Sequence, residues 1–318
     1  MDFELNETER LLNDSLLRFA QREAPQAAAQ DWDHAVAMGW HAAASAEDQG
    51  GFGLGLVGPM LIAESLATAL SPLIWRDAAL LPALTLAALA DEGHADCADW
   101  LAQFLAGDLA AHAVDLAAPP GAADQVRLAV AVQGRGIGLV LLRYHQDGRE
   151  MVAIADADAI AADGSGGLQV DPARARRFAL TPELAARLDG AAAIALASDH
   201  LGAMQSLLDM TLDYVKTRNQ FGRPLGSFQA LQHRLVDMYV ALEEARALTM
   251  AAAMAATEAR GDAARLSAAA WDRTRQGGAR IAEEAIQMHG GIGMTDECRV
   301  GTYVKRILRN EAAGMRAG

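Results

Sequence analysis

The sequence predicts an α+β protein that is mostly α-helical, with an N-terminal helical domain, a reduced middle β domain and a C-terminal four-helix bundle. Three observations lead to this prediction. Alanine dominates an apolar content of 52%, while aromatic residues make up only 5%, and alanine is the strongest helix former. Short apolar runs bounded by glycine, which are typical of strands, cluster in the middle of the chain. Long amphipathic stripes with helical spacing return after residue 181.

The first third of the chain is predicted to form the N-terminal helical domain, residues 1–115. Residues 6–21 are its first predicted helix, because Asn6 can cap the first turn and Glu9 completes a capping box. The apolar stripe of this helix consists of Leu12, Leu16 and Phe19. A glycine-rich turn is expected around residues 38–58, followed by a helical segment up to residue 70. Further helical segments are expected at residues 80–89 and 100–105.

The middle domain, residues 116–181, is predicted to consist of short β-strands. The runs VRLAVAV, IGLVLLRYH and MVAIADADAI are apolar and bounded by glycine or charged residues, a pattern that favours strands. The segments QGRG, QDGRE and DGSGG carry turn residues, so hairpins are the expected connections. We expect the β region to start near residue 120, just after two prolines, and to end near residue 181.

Residues 182–318 are predicted to form the four-helix bundle. Apolar residues recur at helical spacing in three stretches, and residues 264–288 supply a fourth amphipathic segment. The three stripes are Leu201, Met204, Leu208, Leu212 and Val215; Leu231, Leu235, Met238 and Leu242; and Val300, Tyr303, Val304, Ile307 and Leu308. Four long amphipathic helices are the usual content of a bundle.

The composition excludes several classes of function. A formal net charge of −14 argues against general nucleic-acid binding, which requires a basic surface. The two cysteines, Cys97 and Cys298, are far apart and lack partners at metal-ligand spacing, so neither a disulfide framework nor a zinc site is expected. The N-terminus does not resemble a signal peptide, and charges interrupt the alanine-rich runs. We therefore expect a cytoplasmic protein without membrane spans.

The most informative segment is YVKTRNQFGRPLGSFQALQH, residues 214–233. Arg218 and Gln220 are expected at the end of one helix, followed by a glycine- and proline-rich turn that carries Phe221. Ser227 is expected to cap the next helix. An arginine fork beside exposed amides suits a diphosphate, which it can bind with two hydrogen bonds. The alternative is an ordinary connection between helices, in which the arginine caps a helix C-terminus.

A second segment, AIQMHGGIGMTDE, spans residues 285–297. A helix is expected to end at His289, and the three glycines that follow permit left-handed backbone and close approach to a ligand. A glycine C-cap is the alternative, although a cap requires one glycine and not three. The segment is not a dinucleotide fingerprint, because a helix and not a strand precedes it. His289 itself is expected to be a packed or capping residue.

Together these two segments resemble the paired C-terminal signature of acyl-CoA dehydrogenases. The first motif, Arg-x-Gln-Phe-Gly-x-Pro-x-Gly-x-Phe-Gln, covers Arg218–Gln229, and the second, Gln-x-His-Gly-Gly-x-Gly, covers Gln287–Gly293. The turn EDQGGFGLG and the order of the three domains also resemble that family. The resemblance implies that this region contacts FAD across a subunit interface, in at least a dimer and commonly a tetramer. The residues implicated are Arg218, Gln220, Phe221, Phe228, Gln229, Gln287, Gly290 and Gly291.

The sequence departs from the family pattern where the flavin ring and the catalytic base are expected. The middle region lacks the Thr-Glu-x-x-x-Gly-Ser-Asp-like and Trp-Ile-Thr-like segments that hold the flavin ring and the acyl-CoA. In many members the base is a glutamate about two dozen residues after the double glycine, a count that arrives here at Gly314, with Glu311 nearby. In other members it precedes the first motif, where Asp199 occupies the matching position of an Ala-Glu-x-x-Gly-x-Met pattern.

Shortened chains of this kind resemble one subunit of heteromeric α₂β₂ acyl-CoA dehydrogenases, which occur in bacterial degradation of steroid side chains and dicarboxylates. In those enzymes one subunit keeps the base and flavin pocket, and the other donates the arginine and glutamine motif. The first hypothesis is therefore a chain that acts with a second acyl-CoA dehydrogenase subunit on an acyl-CoA substrate and passes electrons to an electron-transfer flavoprotein. A self-sufficient homo-oligomer using Asp199 or Glu311, and a non-enzymatic scaffold without flavin, are the alternatives.

Overall fold

The computed structural model describes residues 5–21, 28–121, 126–128, 137–162, 167–295 and 297–314. Within these ranges the α-helices are α1 (Glu7–Ala20), α2 (Ala28–Ala37), α3 (Val57–Thr68), α4 (Leu81–Asp91), α5 (Ala95–Leu105), α6 (Pro182–Thr217), α7 (Gln229–Thr257), α8 (Ala263–His289) and α9 (Val300–Gly314). The strands are β1 (Ala111–Asp115), β2 (Val126–Leu128), β3 (Leu139–Gln146), β4 (Arg149–Asp156), β5 (Ile160–Ala162), β6 (Leu168–Val170), β7 (Arg176–Ala179), β8 (Asn219–Gln220) and β9 (Arg223–Pro224). The predicted fold class is confirmed.

The first helix begins with the predicted capping box. The Asn6 side chain accepts a hydrogen bond from the Glu9 backbone N–H at 2.9 Å, and the Asn6 backbone N–H donates to the Glu9 carboxylate at 2.8 Å. Both orphan donors at the helix start are thereby satisfied. Helix α2 was not expected from the sequence, yet it contributes the fully buried Trp32 to the core.

The β part consists of a four-stranded sheet in the order β1-β3-β4-β7 and a three-stranded sheet in the order β2-β6-β5. The predicted QDGRE turn joins β3 to β4, with Asp147 and Gly148 at φ 51° and 77°, the positive φ values of a type I′ hairpin turn. The QGRG segment, residues 133–136, and residues 163–166 of DGSGG lie outside the described residues.

The β structure begins earlier than the sequence indicated. β1, the segment AHAVD, pairs in parallel with β3 from Ala111 onward, whereas the expected start lay near residue 120. An alanine-rich segment has little strand propensity of its own, so pairing with a buried neighbour decides its conformation. The division of the chain into domains at residues 115 and 181 remains a prediction.

The four predicted long helices of the C-terminal part are α6 to α9. α6 is the central element, because it packs against α3 of the N-terminal part as well as α7, α8 and α9. Gly202 allows the close approach of α3, since a Cβ atom at this position would overlap the Glu64 carbonyl oxygen. No described helix combines the length and apolar character required to cross a membrane. Cys97 and Cys298 are both free thiols.

His200 is a fully buried histidine on α6, inside the helical bundle. Its ring meets the Trp271 indole edge to face, with ring centroids 5.0 Å apart. Burial lowers the pKa of His200 from 6.5 to about 4, which outweighs the opposing effect of the neighbouring Asp199 carboxylate. The folded chain therefore holds this imidazole neutral at pH values where an exposed histidine would be protonated.

Acidification is expected to destabilise the fold through His200. Its folded pKa of about 4 lies below the ordinary value of 6.5, so within this window the unfolded chain binds a proton that the folded chain does not. The free energy of unfolding should fall by about 2 kcal/mol between pH 7 and pH 5 from this group alone. His200→Phe, which keeps a ring against Trp271, should remove that difference in urea unfolding curves.

The exposed His233 provides the control for this measurement. His233→Asn should leave the difference between the two pH values as it is in the unmodified chain. An equal pH dependence in the unmodified chain and in His200→Phe would contradict the assignment.

Candidate functional site

The two sequence motifs lie at the same end of the helical bundle. α6 ends at Thr217 and α8 ends at His289, and the ends of these helices are joined through Tyr214. The Tyr214 ring stacks on the His289 ring with centroids 4.4 Å apart, and its hydroxyl donates to the His289 carbonyl oxygen at 3.3 Å. His289 is buried, with Nδ1 2.8 Å from the Ala285 carbonyl oxygen. It is the packed residue that the sequence predicted.

After α6 the chain makes a tight hairpin from β8 and β9. Leu225 N–H donates to the Arg218 carbonyl oxygen at 2.9 Å and closes the base of the hairpin. Phe221 and Gly222 form its tip, both with positive φ, 56° and 80°. Positive φ is unfavourable for a bulky residue, and the Phe221 side chain is nevertheless 88% exposed. Its ring meets the Phe228 ring edge to face with centroids 6.1 Å apart, and packing among the described residues leaves most of the side chain in solvent.

The polar groups of the hairpin face solvent. Arg218, Gln220 and Gln229 are exposed, and the Arg218 guanidinium has no hydrogen-bond or ion-pair partner within the part of the chain that the structure describes. Arg223, which the sequence motif did not single out, lies with its guanidinium carbon 4.0 Å from the Phe228 ring centroid. A guanidinium over an aromatic ring is held by a cation–π interaction. This turn therefore presents two arginines, one free and one held in place.

The start of α7 differs from the prediction. Phe228 is the N-cap residue and no side chain caps the helix, so the expected capping role of Ser227 is wrong. The Ser227 hydroxyl instead donates to the Pro224 carbonyl oxygen at 2.7 Å, which stabilises the turn locally. The N–H groups in the first turn of α7 are left without a side-chain acceptor, and such a helix start attracts anions.

The second motif follows α8 directly. Gly290 is the C-cap residue with φ 64° and ψ −143°, a conformation open essentially only to glycine. A Cβ atom at Gly290 or Gly291 would meet nothing within 4 Å, so the backbone here borders open space. Gln287 is exposed on the last turn of α8. Together with the free Arg218 and the uncapped start of α7, this outward-facing donor set fits a diphosphate.

Asp199 lies inside the bundle in an ion pair with Arg306 of α9. Arg306 Nη2 and Nε lie 2.5 Å and 2.7 Å from the two carboxylate oxygens, and Asn310 Nδ2 donates at 2.5 Å. Burial alone would raise the pKa of Asp199, but the charge and hydrogen bonds of Arg306 and the hydrogen bond of Asn310 hold it below its usual value. A carboxylate neutralised in this way is a weak general base, because proton abstraction requires a pKa matched to the reaction.

Glu311 is partly buried on α9, next to Asn310. Its side chain has no hydrogen bond or ion pair with any described residue, so nothing in its surroundings orients the carboxylate. The neighbouring Asn310, and not Glu311, donates a hydrogen bond to Asp199.

A partly exposed ionic network occupies the middle region that lacks the family's flavin-ring segments. Arg143 of β3 donates to Asp189 at 2.6 Å and to Glu150 at 3.2 Å, which connects the sheet to α6. Burial raises the pKa of Asp115, against the lowering effect of Arg143 and Arg76. The sequence did not reveal this network, because the link from Arg143 to Asp189 spans 46 residues and follows no motif. Within the described residues no cluster of side chains is suited to a metal ion.

Comparison with known sequences finds its match in the helical bundle. The profile described as "Acyl-CoA dehydrogenase, C-terminal domain" matches residues 190–314. Acyl-CoA dehydrogenase IpdE2 of Mycobacterium tuberculosis (strain ATCC 25618 / H37Rv) is 45% identical over 115 residues, which are 36% of this chain and 34% of that protein. The matched segment thus spans about a third of this curated relative.

Two solved structures share the fold over nearly the whole chain. The ChsE4-ChsE5 complex from Mycobacterium tuberculosis matches with a TM-score of 0.77 at 22% identity, covering 100% of this chain and 96% of the matched chain. A variant of the Tcur3481-Tcur3483 steroid ACAD matches with a TM-score of 0.76 at 24% identity, covering 97% and 93%. The sequence match places residues 190–314 in the acyl-CoA dehydrogenase C-terminal domain family, and the two solved structures share the fold of nearly the whole chain.

Proposed function

We propose that this chain is one subunit of an FAD-dependent acyl-CoA dehydrogenase that introduces an α,β double bond into an acyl-CoA thioester. In this proposal a second acyl-CoA dehydrogenase subunit supplies the base and the pocket for the flavin ring. The observation that carries it is the outward-facing donor set at one end of the bundle, formed by Arg218, Gln220 and the segment around Gly290. Because these donors face outward, a ligand that they bind would lie at the surface of this chain and could be shared with a second subunit.

The role of this chain is to hold the diphosphate end of an FAD that is shared across the subunit interface. Arg218 would donate two parallel hydrogen bonds to phosphate oxygens, and the uncapped start of α7 would add its partial positive charge. Phe221 and Phe228 would contact the nucleotide or the neighbouring subunit through their rings. FAD, when bound, supplies the flavin that accepts the hydride from the β-carbon of the substrate.

The base is assigned to the second subunit because this chain has no suitable carboxylate at either expected position. Asp199 is neutralised by Arg306. Gly314 occupies the position of the later glutamate, and a Cβ atom there would overlap the indole ring of Trp271. The fold therefore leaves no room for a side chain at residue 314 unless Trp271 moves.

The similar folds come from assemblies named after two proteins, the ChsE4-ChsE5 complex and the Tcur3481-Tcur3483 steroid ACAD. These similarities support a heteromeric enzyme, a dimer or tetramer, acting on a lipid or steroid CoA thioester. Its electrons would pass to an electron-transfer flavoprotein. A self-sufficient enzyme would require Asp199 or Glu311 as the base, and neither has the environment of one. A scaffold without flavin would leave the free Arg218 and the strained, exposed Phe221 without a purpose.

Flavin retention in the mixed enzyme tests the proposal. The chain is produced alone and together with the product of a neighbouring acyl-CoA dehydrogenase gene, and flavin absorbance is measured. The chain alone should hold little flavin and show no dye reduction with acyl-CoA, and the mixed enzyme should gain both. Arg218→Ala in the mixed enzyme should weaken FAD binding by about tenfold or more, because a charge-assisted hydrogen bond is lost.

Lys216→Ala is the matched control, since Lys216 is exposed two residues away and pairs only loosely with Asp213 at 3.9 Å. It should retain flavin. Unchanged flavin occupancy in Arg218→Ala would refute the role of this arginine, and dye reduction by the chain alone would refute the division of labour between two subunits.

Gly314→Ala tests whether Trp271 blocks the position of the base. Alanine normally stabilises a helix relative to glycine by about 0.5–1 kcal/mol. At residue 314 the overlap with the indole ring should reverse the sign, and the free energy of unfolding should fall by about 1–3 kcal/mol. Gly301→Ala in the same helix is the control, because its Cβ atom would meet only a carbonyl oxygen at 3.9 Å. In urea unfolding, Gly314→Ala should be less stable than the unmodified chain, and Gly301→Ala should be more stable.

A further inference from the structure

A basic pocket lies between α9 and the segment that follows α3. Its volume is about 280 Å³. It is lined by Leu70, Ser71, Pro72, Thr302, Lys305, Arg306 and Arg309. It shares no residue with the two FAD motifs, so an inference about it does not depend on the proposed function.

The positive charge of this pocket exceeds the negative charge in contact with it. Arg306 is paired with Asp199. Lys305 and Arg309 are exposed, and neither has a hydrogen-bond or ion-pair partner among the residues that the structure describes. Partial desolvation of its guanidinium beside the pocket and the neighbouring charge of Arg306 lower the pKa of Arg309, and Asp199 compensates only in part. Two uncompensated cations beside a third form a local site for an anion, in a chain whose net charge is −14.

The walls of the pocket are held in place by hydrogen bonds within the fold. Arg306 Nη1 donates to the Ser71 carbonyl oxygen at 2.6 Å, and the Tyr303 hydroxyl donates to the Thr68 carbonyl oxygen at 2.6 Å. The Arg306 side chain is only 5% exposed. The wall of the pocket formed by Arg306 is therefore fixed before a ligand binds, whereas the exposed Lys305 and Arg309 side chains can adjust to the ligand.

From this arrangement we infer that the pocket binds a phosphate-type dianion. Two unpaired cations match the double charge of a phosphate, and its several acceptor oxygens can receive hydrogen bonds from Lys305 and Arg309 together. A single carboxylate would neutralise only one of the two. The phosphate is either inorganic or part of a small phosphomonoester, and both carry the same group.

Calorimetric titration with inorganic phosphate at constant ionic strength tests this inference, in parallel with adenosine monophosphate as a phosphomonoester. The double variant Lys305→Gln/Arg309→Gln should weaken binding by about tenfold or more, because two charge-assisted hydrogen bonds are lost. Both replaced side chains are exposed, so the fold should persist, and Arg309→Gln alone is a second variant with a smaller expected loss. Tighter binding of the monoester would identify that source, and equal or weaker binding would identify the inorganic ion.

The control variant Arg187→Gln/Arg265→Gln removes the same amount of charge from exposed positions elsewhere and should bind phosphate as the unmodified chain does. Arg218→Ala should also retain this binding, which separates the pocket from the FAD motifs. The inference is overturned if phosphate does not bind, if the control loses binding as strongly as the double variant, or if Arg218→Ala abolishes binding.

Discussion

The arrangement of the helical bundle depends on the ion pair between Arg306 and Asp199. It joins α9 to α6, and the remaining hydrogen bond of Arg306 reaches Ser71 in the segment after α3. Three parts of the chain that are far apart in sequence therefore meet at one guanidinium. Removing one partner of such a buried pair leaves an uncompensated charge and destabilises a protein by about 3–5 kcal/mol. The same ion pair lowers the pKa of Asp199 and so makes this carboxylate a structural partner and a weak proton acceptor.

The arginine where the sheet meets α6 is paired, and the arginine at the motif end is free within the described residues. Arg143 is bound by Asp189 and Glu150 where the sheet meets α6, whereas Arg218 at the end of the bundle has no partner in the described chain. This contrast supports the proposal that a ligand binds at the outer surface and not within the chain.

Local sequence signals predicted local structure well. The capping box of Asn6, the turn at Asp147 and the helix end at His289 each depend on a few adjacent residues, and each lies where the pattern indicated. The misses depend on tertiary partners. β1 is a strand because β3 pairs with it. Ser227 bonds within its own turn instead of capping α7, and the 107-residue separation of Asp199 from Arg306 carries no sequence signal.

The hairpin tip shows how the candidate site combines both kinds of information. The motif identified Phe221, but only the structure reveals that its backbone lies in the left-handed region and that its ring is almost fully exposed. Each feature alone is unfavourable, since the first strains the backbone and the second places an apolar ring in water. Contact with a nucleotide or a neighbouring subunit would bury the ring and recover that free energy. The strained backbone holds the Phe221 ring in its exposed position before a partner binds. Binding then loses less conformational entropy, because the ring is already ordered.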